Sequence, residues 1–186
     1  VIEDSEITGV ESSAIRFNDG YQNSSVTIKR NKISNSKGGG INFEWLGKVV
    51  FEDNELTSNE YGRFYHSSFY GDLSFKNNVI KNTNADVWIG RPHGGDKRVI
   101  VVEGNSFIEE GSNSSGGHLD LGGIEQEADI LIQNNTVENR NNGIYVYGNT
   151  NNKVRILGNS IKGTTQSNAG IYLYSKTTGT IENNTI

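Results

Sequence analysis

An eight-residue pattern, apolar-x-apolar-x-x-Asn-x-apolar, runs through this chain from end to end. It reads Val26-Thr27-Ile28-Lys29-Arg30-Asn31-Lys32-Ile33, then returns at Val49 to Leu56 around Asn54, Leu73 to Ile80 around Asn78, and Ile100 to Phe107 around Asn105. It continues as Ile130 to Val137 around Asn135 and Val154 to Ile161 around Asn159, and a weaker copy, Gly179 to Ile186 around Asn184, closes the series. Ile2, Ser5 and Ile7 fit the same frame with Ser in the Asn place. The intervals from Ser5 to Asn184 are 26, 23, 24, 27, 30, 24 and 25 residues. A chain with such a period builds one small unit many times over, and each unit buries its apolar face only by stacking on its neighbours.

Every interval also holds a second pair of inward positions at spacing two: Ile15/Phe17, Ile41/Phe43, Phe64/His66, Val87/Ile89, Leu119/Leu121, Ile144/Val146 and Ile171/Leu173. Spacing two means strand, with alternate side chains inward. Each unit therefore has two short strands around a tight Asn bend and a third strand elsewhere, joined by Gly/Ser/Asn-rich loops. Three short strands in roughly 25 residues predict an all-β chain, a parallel β-solenoid of about seven coils in which each strand pairs with its equivalents above and below. The bend Asn is expected to supply the left-handed backbone conformation of a sharp turn. Stacked every ~4.8 Å, its amides are also expected to hydrogen-bond along the axis as a ladder.

Composition agrees. Asn (25) and Gly (23) together supply 48 of 186 residues, while Pro occurs once, at Pro92. Hydrophobic residues reach only 33%, but 17 aromatic residues (2 Trp, 8 Tyr, 7 Phe) argue against disorder. No apolar run is long enough for a transmembrane helix, so no membrane insertion is expected. The absence of Cys excludes disulfides, thiolate nucleophiles and Cys-based zinc sites. A net charge of −5 disfavours sequence-independent nucleic-acid or anionic-membrane binding, since both need a basic face.

The bend Asn set (Asn31, Asn54, Asn78, Asn105, Asn135, Asn159, Asn184) with its flanking Val/Ile/Leu/Phe resembles the right-handed parallel β-helix, or pectate-lyase-like, superfamily over essentially the whole chain. The resemblance implies that the Asn bend joins the second and third strands of each coil, which makes the Ile15/Phe17-type strands the first. It also implies a polysaccharide bound along the groove over that first strand, cut or modified by lyase or hydrolase chemistry, in a protein outside the cell or on a cell or virion surface. Calcium-dependent members hold the ion with clustered Asp near the first strand. This chain offers only Asp86, Asp120 and Glu44 there, too scattered to assert a site, so no cofactor is expected, with Ca2+ possible but not indicated. The competing reading is a non-catalytic binder or structural trunk, such as part of a phage tailspike or surface adhesin. A tailspike origin would imply a homotrimer, though no residue demands one. Both ends fall inside a coil without visible polar caps, so the expectation is a single domain, 1–186, cut from a larger β-helix.

Alternation gives the outward rows of the first strand. The middle row is Arg16, Asn42, Tyr65, Trp88, Asp120, Tyr145, Tyr172; the row before it is Ala14, Gly40, Arg63, Asp86, His118, Gly143, Gly170. The row after is Asn18, Glu44, Ser67, Gly90, Gly122, Tyr147, Tyr174. Flat rings beside acids and amides suit sugars, whose C–H faces pack on aromatics while hydroxyls find polar partners. Glu44, Tyr65, Trp88, Arg91, His93, Tyr145 and Tyr172 are the candidate substrate contacts, with Lys97 and Arg98 in the same loop as Arg91 and His93. The plainer alternative is that such rings only support their cross-strand neighbours.

Arg63, Asp86, His118 and Asp120 are the candidate catalytic residues. One rung and two residues separate Asp86 from Asp120, which puts their Cα atoms about 8 Å apart. Inverting glycosidases place their carboxyls ~6.5–9.5 Å apart to admit water. A lyase would instead use Arg63 to neutralise a uronate carboxylate, with His118 or Tyr65 taking the proton. His66 falls at an inward position and is expected to be a core residue. Trp45 would form the groove edge or cover the loop below.

Overall fold

A computed structural model describes residues 1–18, 23–59, 64–82, 87–93, 97–109, 119–124, 126–138, 143–148, 152–163, 169–174 and 177–186. Its strands form three parallel sheets that wind as a solenoid. Sheet 1 has seven strands, from Ile15–Phe17 to Ile171–Tyr174. Sheet 2 has eight, from Ile2–Glu3 to Thr178–Glu182, and precedes the Asn bend; sheet 3 has seven, from Glu6–Thr8 to Ser160–Lys162, and follows it. About seven coils are thus stacked in register, as the repeat predicts.

Alternation sets the core. In Ser25–Lys29, Val26 and Ile28 point inward and are buried while Thr27 faces out, and later coils repeat the pattern. Phe51 and Phe75 stack at 5.3 Å and 12°, and Phe64 packs edge-on against Phe75 at 4.5 Å. Each fully buried ring of this kind contributes about 1.5–3 kcal/mol through removal of apolar surface from water.

The ladder is continuous. The side-chain amide of Asn31 donates to Asn54 Oδ1 at 3.0 Å, and the same link recurs from Asn54 to Asn78, Asn105, Asn135, Asn159 and Asn184 at 2.9–3.1 Å. Each acceptor oxygen also takes the backbone N–H of the preceding ladder Asn, as from Asn78 N to Asn105 Oδ1 at 2.9 Å. In place of a ladder amide, Ser5 at the first position sends its backbone N–H to Asn31 Oδ1.

One expectation needs correction: the left-handed residue is not the ladder Asn but the one before it. Asp4, Arg30, Asp53, Asn77, Gly104, Asn134, Gly158 and Asn183 have φ of 52–66°. The physical reason is division of labour. The left-handed residue turns the chain with its side chain in solvent, which leaves the ladder Asn free to aim its amide inward. The other two corners use the same device, with Gly9, Asn35, Ser58, Asn82 and Gly163 after sheet 3 and Trp45, Ser68 and Arg91 after sheet 1, while Gly123 takes the equivalent place within the longer strand Leu119–Ile124.

On the outside of sheet 2 a register row alternates in charge. Glu3, Lys29, Glu52, Lys76, Glu103 and Gln133 lie one above another. Lys29 pairs with Glu52 at 2.8 Å and Lys76 with Glu103 at 2.9 Å, while Gln133 donates to Glu103. Along this row the charges pair with one another.

Candidate functional site on the outer face of sheet 1

The middle outward row lies in the predicted register at every step: Arg16, Asn42, Tyr65, Trp88, Asp120, Tyr145, Tyr172. Its rings do not lie flat on the sheet. Tyr65 and Trp88 are nearly parallel, with centroids 4.8 Å apart and planes 13° off parallel. Their spacing equals one rung of a sheet, so the rings stand out from it like stacked plates. Tyr145 and Tyr172 form a second stack at 5.2 Å and 27°, and Tyr172 continues to Tyr174 at 6.2 Å and 6°. Asp120 occupies the rung between the two stacks and is only 7% exposed. The phenol of Tyr145 is held above its ordinary range, first by burial and then by Tyr172 and the Asp120 carboxylate.

The third outward row departs from prediction at one point. Glu44, Ser67, Gly90 and Gly122 are in register, but the pairing then slips: Leu121 faces Val146 while Ile124 faces Gly148. One extra residue on Leu119–Ile124 forms a bulge, with Gly123 at φ 62°. Tyr147 therefore leans down one coil, and a Cβ at Gly122 would collide with its hydroxyl and ring. Trp88 leans along its own strand, its six-membered ring lying over Gly90, one rung below Gly122 and the Tyr147 ring.

At the corner after sheet 1 lies an aromatic group that sequence reasoning did not assemble. Trp45 stacks on His93 at 5.0 Å and 29°, and Tyr70 contacts both, at 6.1 Å from Trp45 and 5.9 Å from His93. Trp45 thus packs upward over two coils as an edge of the face. Tyr70 was missed because it lies beyond the strand, where alternation says nothing; its equal offset from the corner with His93 was the available signal.

The remaining loop residues divide. Arg91 is exposed, its side chain running over Gly123, whereas Glu44 is half-buried two coils below Trp88. Lys97 turns toward sheet 2, pairing with Asp129 at 2.9 Å and Glu127 at 3.6 Å. Arg98 is buried and donates to the His93 carbonyl at 2.7 Å, a brace for the loop rather than a group presented to solvent. His66 is fully buried, stacked on Phe69 at 4.5 Å, and neither ring nitrogen makes a hydrogen bond. Burial pulls its pKa down to about 3 against a weaker opposing influence of the Phe43 backbone, so it stays neutral and takes no part in proton transfer at ordinary pH. Arg63, Asp86 and His118, and with them the Asp86–Asp120 spacing, lie outside the described residues. Among the described residues no cluster of three His, Asp or Glu side chains is arranged to hold a metal.

Three parallel sheets, three left-handed corners and a continuous Asn ladder are now joined by a direct match: the model of the right-handed β-helix region fits residues 1–115. The chain belongs to the right-handed β-helix family. Membership makes it a polysaccharide-associated or structural β-helix protein in the broad sense. A stretch of 66 residues is also 30% identical to the outer membrane protein assembly factor BamC of Psychromonas ingrahamii (strain DSM 17664 / CCUG 51855 / 37). That similarity covers 36% of this β-helix chain and 18% of BamC, so the chain spans less than a fifth of that relative. No solved structure matches the chain.

Proposed function

We propose that this protein binds a polysaccharide along the outer face of sheet 1, with any bond-breaking, of lyase or hydrolase type, centred on Asp120. The observation that carries the reading is the contrast between faces. Sheet 2 neutralises its own charge row, while sheet 1 raises two aromatic stacks around one carboxyl group. Rings that only supported a strand would lie against their neighbours without a carboxyl between them; plates with outward edges suit a chain of sugars. The Trp45/Tyr70/His93 group extends the aromatic surface over the corner, and Arg91 supplies a cation at the rim. Such a protein acts outside the cell or at a surface, a location that the name of the partial relative, an outer membrane assembly factor, favours.

A second reading, a non-catalytic trunk, is favoured by the self-satisfied charge row and the unbroken ladder, which make a stiff rod. Product release from a panel of neutral and uronate-containing polysaccharides, following reducing ends and unsaturated-uronate absorbance together, separates the outcomes. Reducing ends with absorbance mean a lyase, and reducing ends alone a hydrolase. Retention of a glycan without products means a binder, and neither retention nor products from folded protein supports the trunk.

A further inference from the structure

The pairing of charges on sheet 2 stops short of its last two strands. The row from Lys29 to Gln133 pairs internally, and in a neighbouring column Asp129 and Glu127 share Lys97 at 2.9 and 3.6 Å. One rung above Asp129 stands Lys153, and two residues further along that strand stands Arg155. Both are exposed while Val154 between them is buried, so alternation sends the two cations out on one side, about 6.6 Å apart along the strand. Among the described residues neither of them has an ion-pair partner. The next rung sets Thr178 opposite Lys153 and Thr180 opposite Arg155, both exposed. Thr178 Oγ1 donates to the Asn152 carbonyl at 3.3 Å, whereas the Thr180 hydroxyl has no partner among the described residues. These four residues line a hollow of about 440 Å³, with Val154 and Gly179 between them and Asp129 at its lower edge. Glu182 lies two residues beyond Thr180, outside that lining. The volume falls in the range of small-ligand sites.

We propose that this hollow is a second binding site, taking one sulfate or phosphate ester of a sugar, with Lys153 and Arg155 on the ester oxygens and the Thr180 hydroxyl donating to a third. An ammonium, a guanidinium and a hydroxyl approach from two rungs and two columns, which matches the three terminal oxygens of a tetrahedral ester better than the two coplanar oxygens of a carboxylate. A bare ion, the size of a few waters at about 30 Å³ each, would leave most of the hollow empty, so the ester sits on a larger carrier. The oxygens of Asp129 and Thr178 at the edges are hydrogen-bond acceptors, which the hydroxyls of a sugar satisfy and an apolar carrier does not. The site lies on a different sheet from the aromatic stacks and stands whether or not those bind a glycan.

The test titrates the whole chain, labelled with nitrogen-15, with glucose 6-sulfate, glucose 6-phosphate, glucuronate, glucose, inorganic sulfate and inorganic phosphate, following backbone amide shifts. At least one of the two esters is expected to move the amides of Lys153–Leu157 and Thr178–Glu182 and to bind severalfold tighter than glucuronate, glucose and its own bare ion, with the tighter of the two naming the ester. Lys153→Gln and Arg155→Gln, both on exposed side chains, should each weaken that ester by about threefold or more. Lys76→Gln removes the same charge from the same sheet, but Lys76 is already paired with Glu103, so it should leave the affinity within about twofold. Equal weakening by all three variants would overturn the site in favour of attraction by overall charge. Glucuronate as the tightest ligand would overturn the ester class, and a bare ion as tight as its ester would overturn the sugar carrier. Absence of shifts in both strands would overturn the site.

Discussion

Removing one ladder amide should cost far more than an ordinary buried substitution, and Asn105→Ala is the cleanest place to measure it. Asn105 is 1% exposed and makes four side-chain hydrogen bonds. Its Oδ1 accepts from Asn78 N at 2.9 Å and Asn78 Nδ2 at 3.0 Å, while its Nδ2 donates to Phe75 O at 3.0 Å and Asn135 Oδ1 at 2.9 Å. Alanine leaves the Asn78 N–H buried without its acceptor, at about 1–3 kcal/mol, and forfeits three further bonds at about 0.5–1.5 kcal/mol each. The sum centres near 5 kcal/mol, a large share of the roughly 5–15 kcal/mol that holds a typical domain. Urea unfolding followed by tryptophan emission should show the midpoint falling by about 2 M. Asn77→Ala is the matched control one position before a ladder residue. It loses an exposed bond to Asp53 at 3.2 Å and puts alanine at φ 54°, for about 1 kcal/mol. Equal losses for the two variants, or a loss under 1.5 kcal/mol for Asn105→Ala, would refute the claim that the ladder, rather than the bend, carries the stability.

Other outcomes follow from the same geometry. Folded His66 has a pKa of about 3 against 6.5 when unfolded, so its contribution is fully present above pH 6.5 and lost as pH falls from there toward 3. His66→Phe, fitting beside Phe69, should remove up to about 1.4 kcal/mol per pH unit of that acid lability, read from unfolding midpoints between pH 7 and 4; an unchanged pH profile would count against the buried neutral ring. Gly104→Ala should destabilise by about 1–2 kcal/mol in the same urea assay, because Gly104 sits at φ 66° and its Cβ would come 2.6 Å from Asn77 Oδ1. No loss there would mean the corner tolerates a side chain.

The sequence was most legible where period and burial act together. Seven ladder Asn positions, the inward pairs and the middle outward row all follow from spacing alone, because a one-residue slip would turn every Val, Ile and Phe outward. It was least legible at corners, where alternation ends. Nothing in the spacing distinguishes Arg30 from Asn31 as the left-handed residue, since both lie within the bend. The bulge at Gly122 and Gly123 was hidden for the same reason: two glycines fit a strand end as well as an extra residue, and only the pairing of Ile124 with Gly148 reveals it. The site was half legible. Alternation put Tyr65, Trp88, Asp120, Tyr145 and Tyr172 on one line, but it carries no information about ring orientation, so the stacked plates come from the packing. Lys97 and Arg98 show the limit of reading a loop by composition: both are cationic, yet one is held by Asp129 and Glu127 and the other is buried against the His93 carbonyl.

The glycan-binding claim is tested most directly by retention on immobilised polysaccharides, comparing the parent protein with Tyr65→Ala/Trp88→Ala on sheet 1 and Val101→Ala/Leu131→Ala on the outer face of sheet 2. The account predicts retention of the parent and the sheet 2 variant on at least one polysaccharide and a loss of about tenfold or more for the sheet 1 variant, with all three folded. Equal retention of the two variants, or none for the parent across the panel, would contradict it.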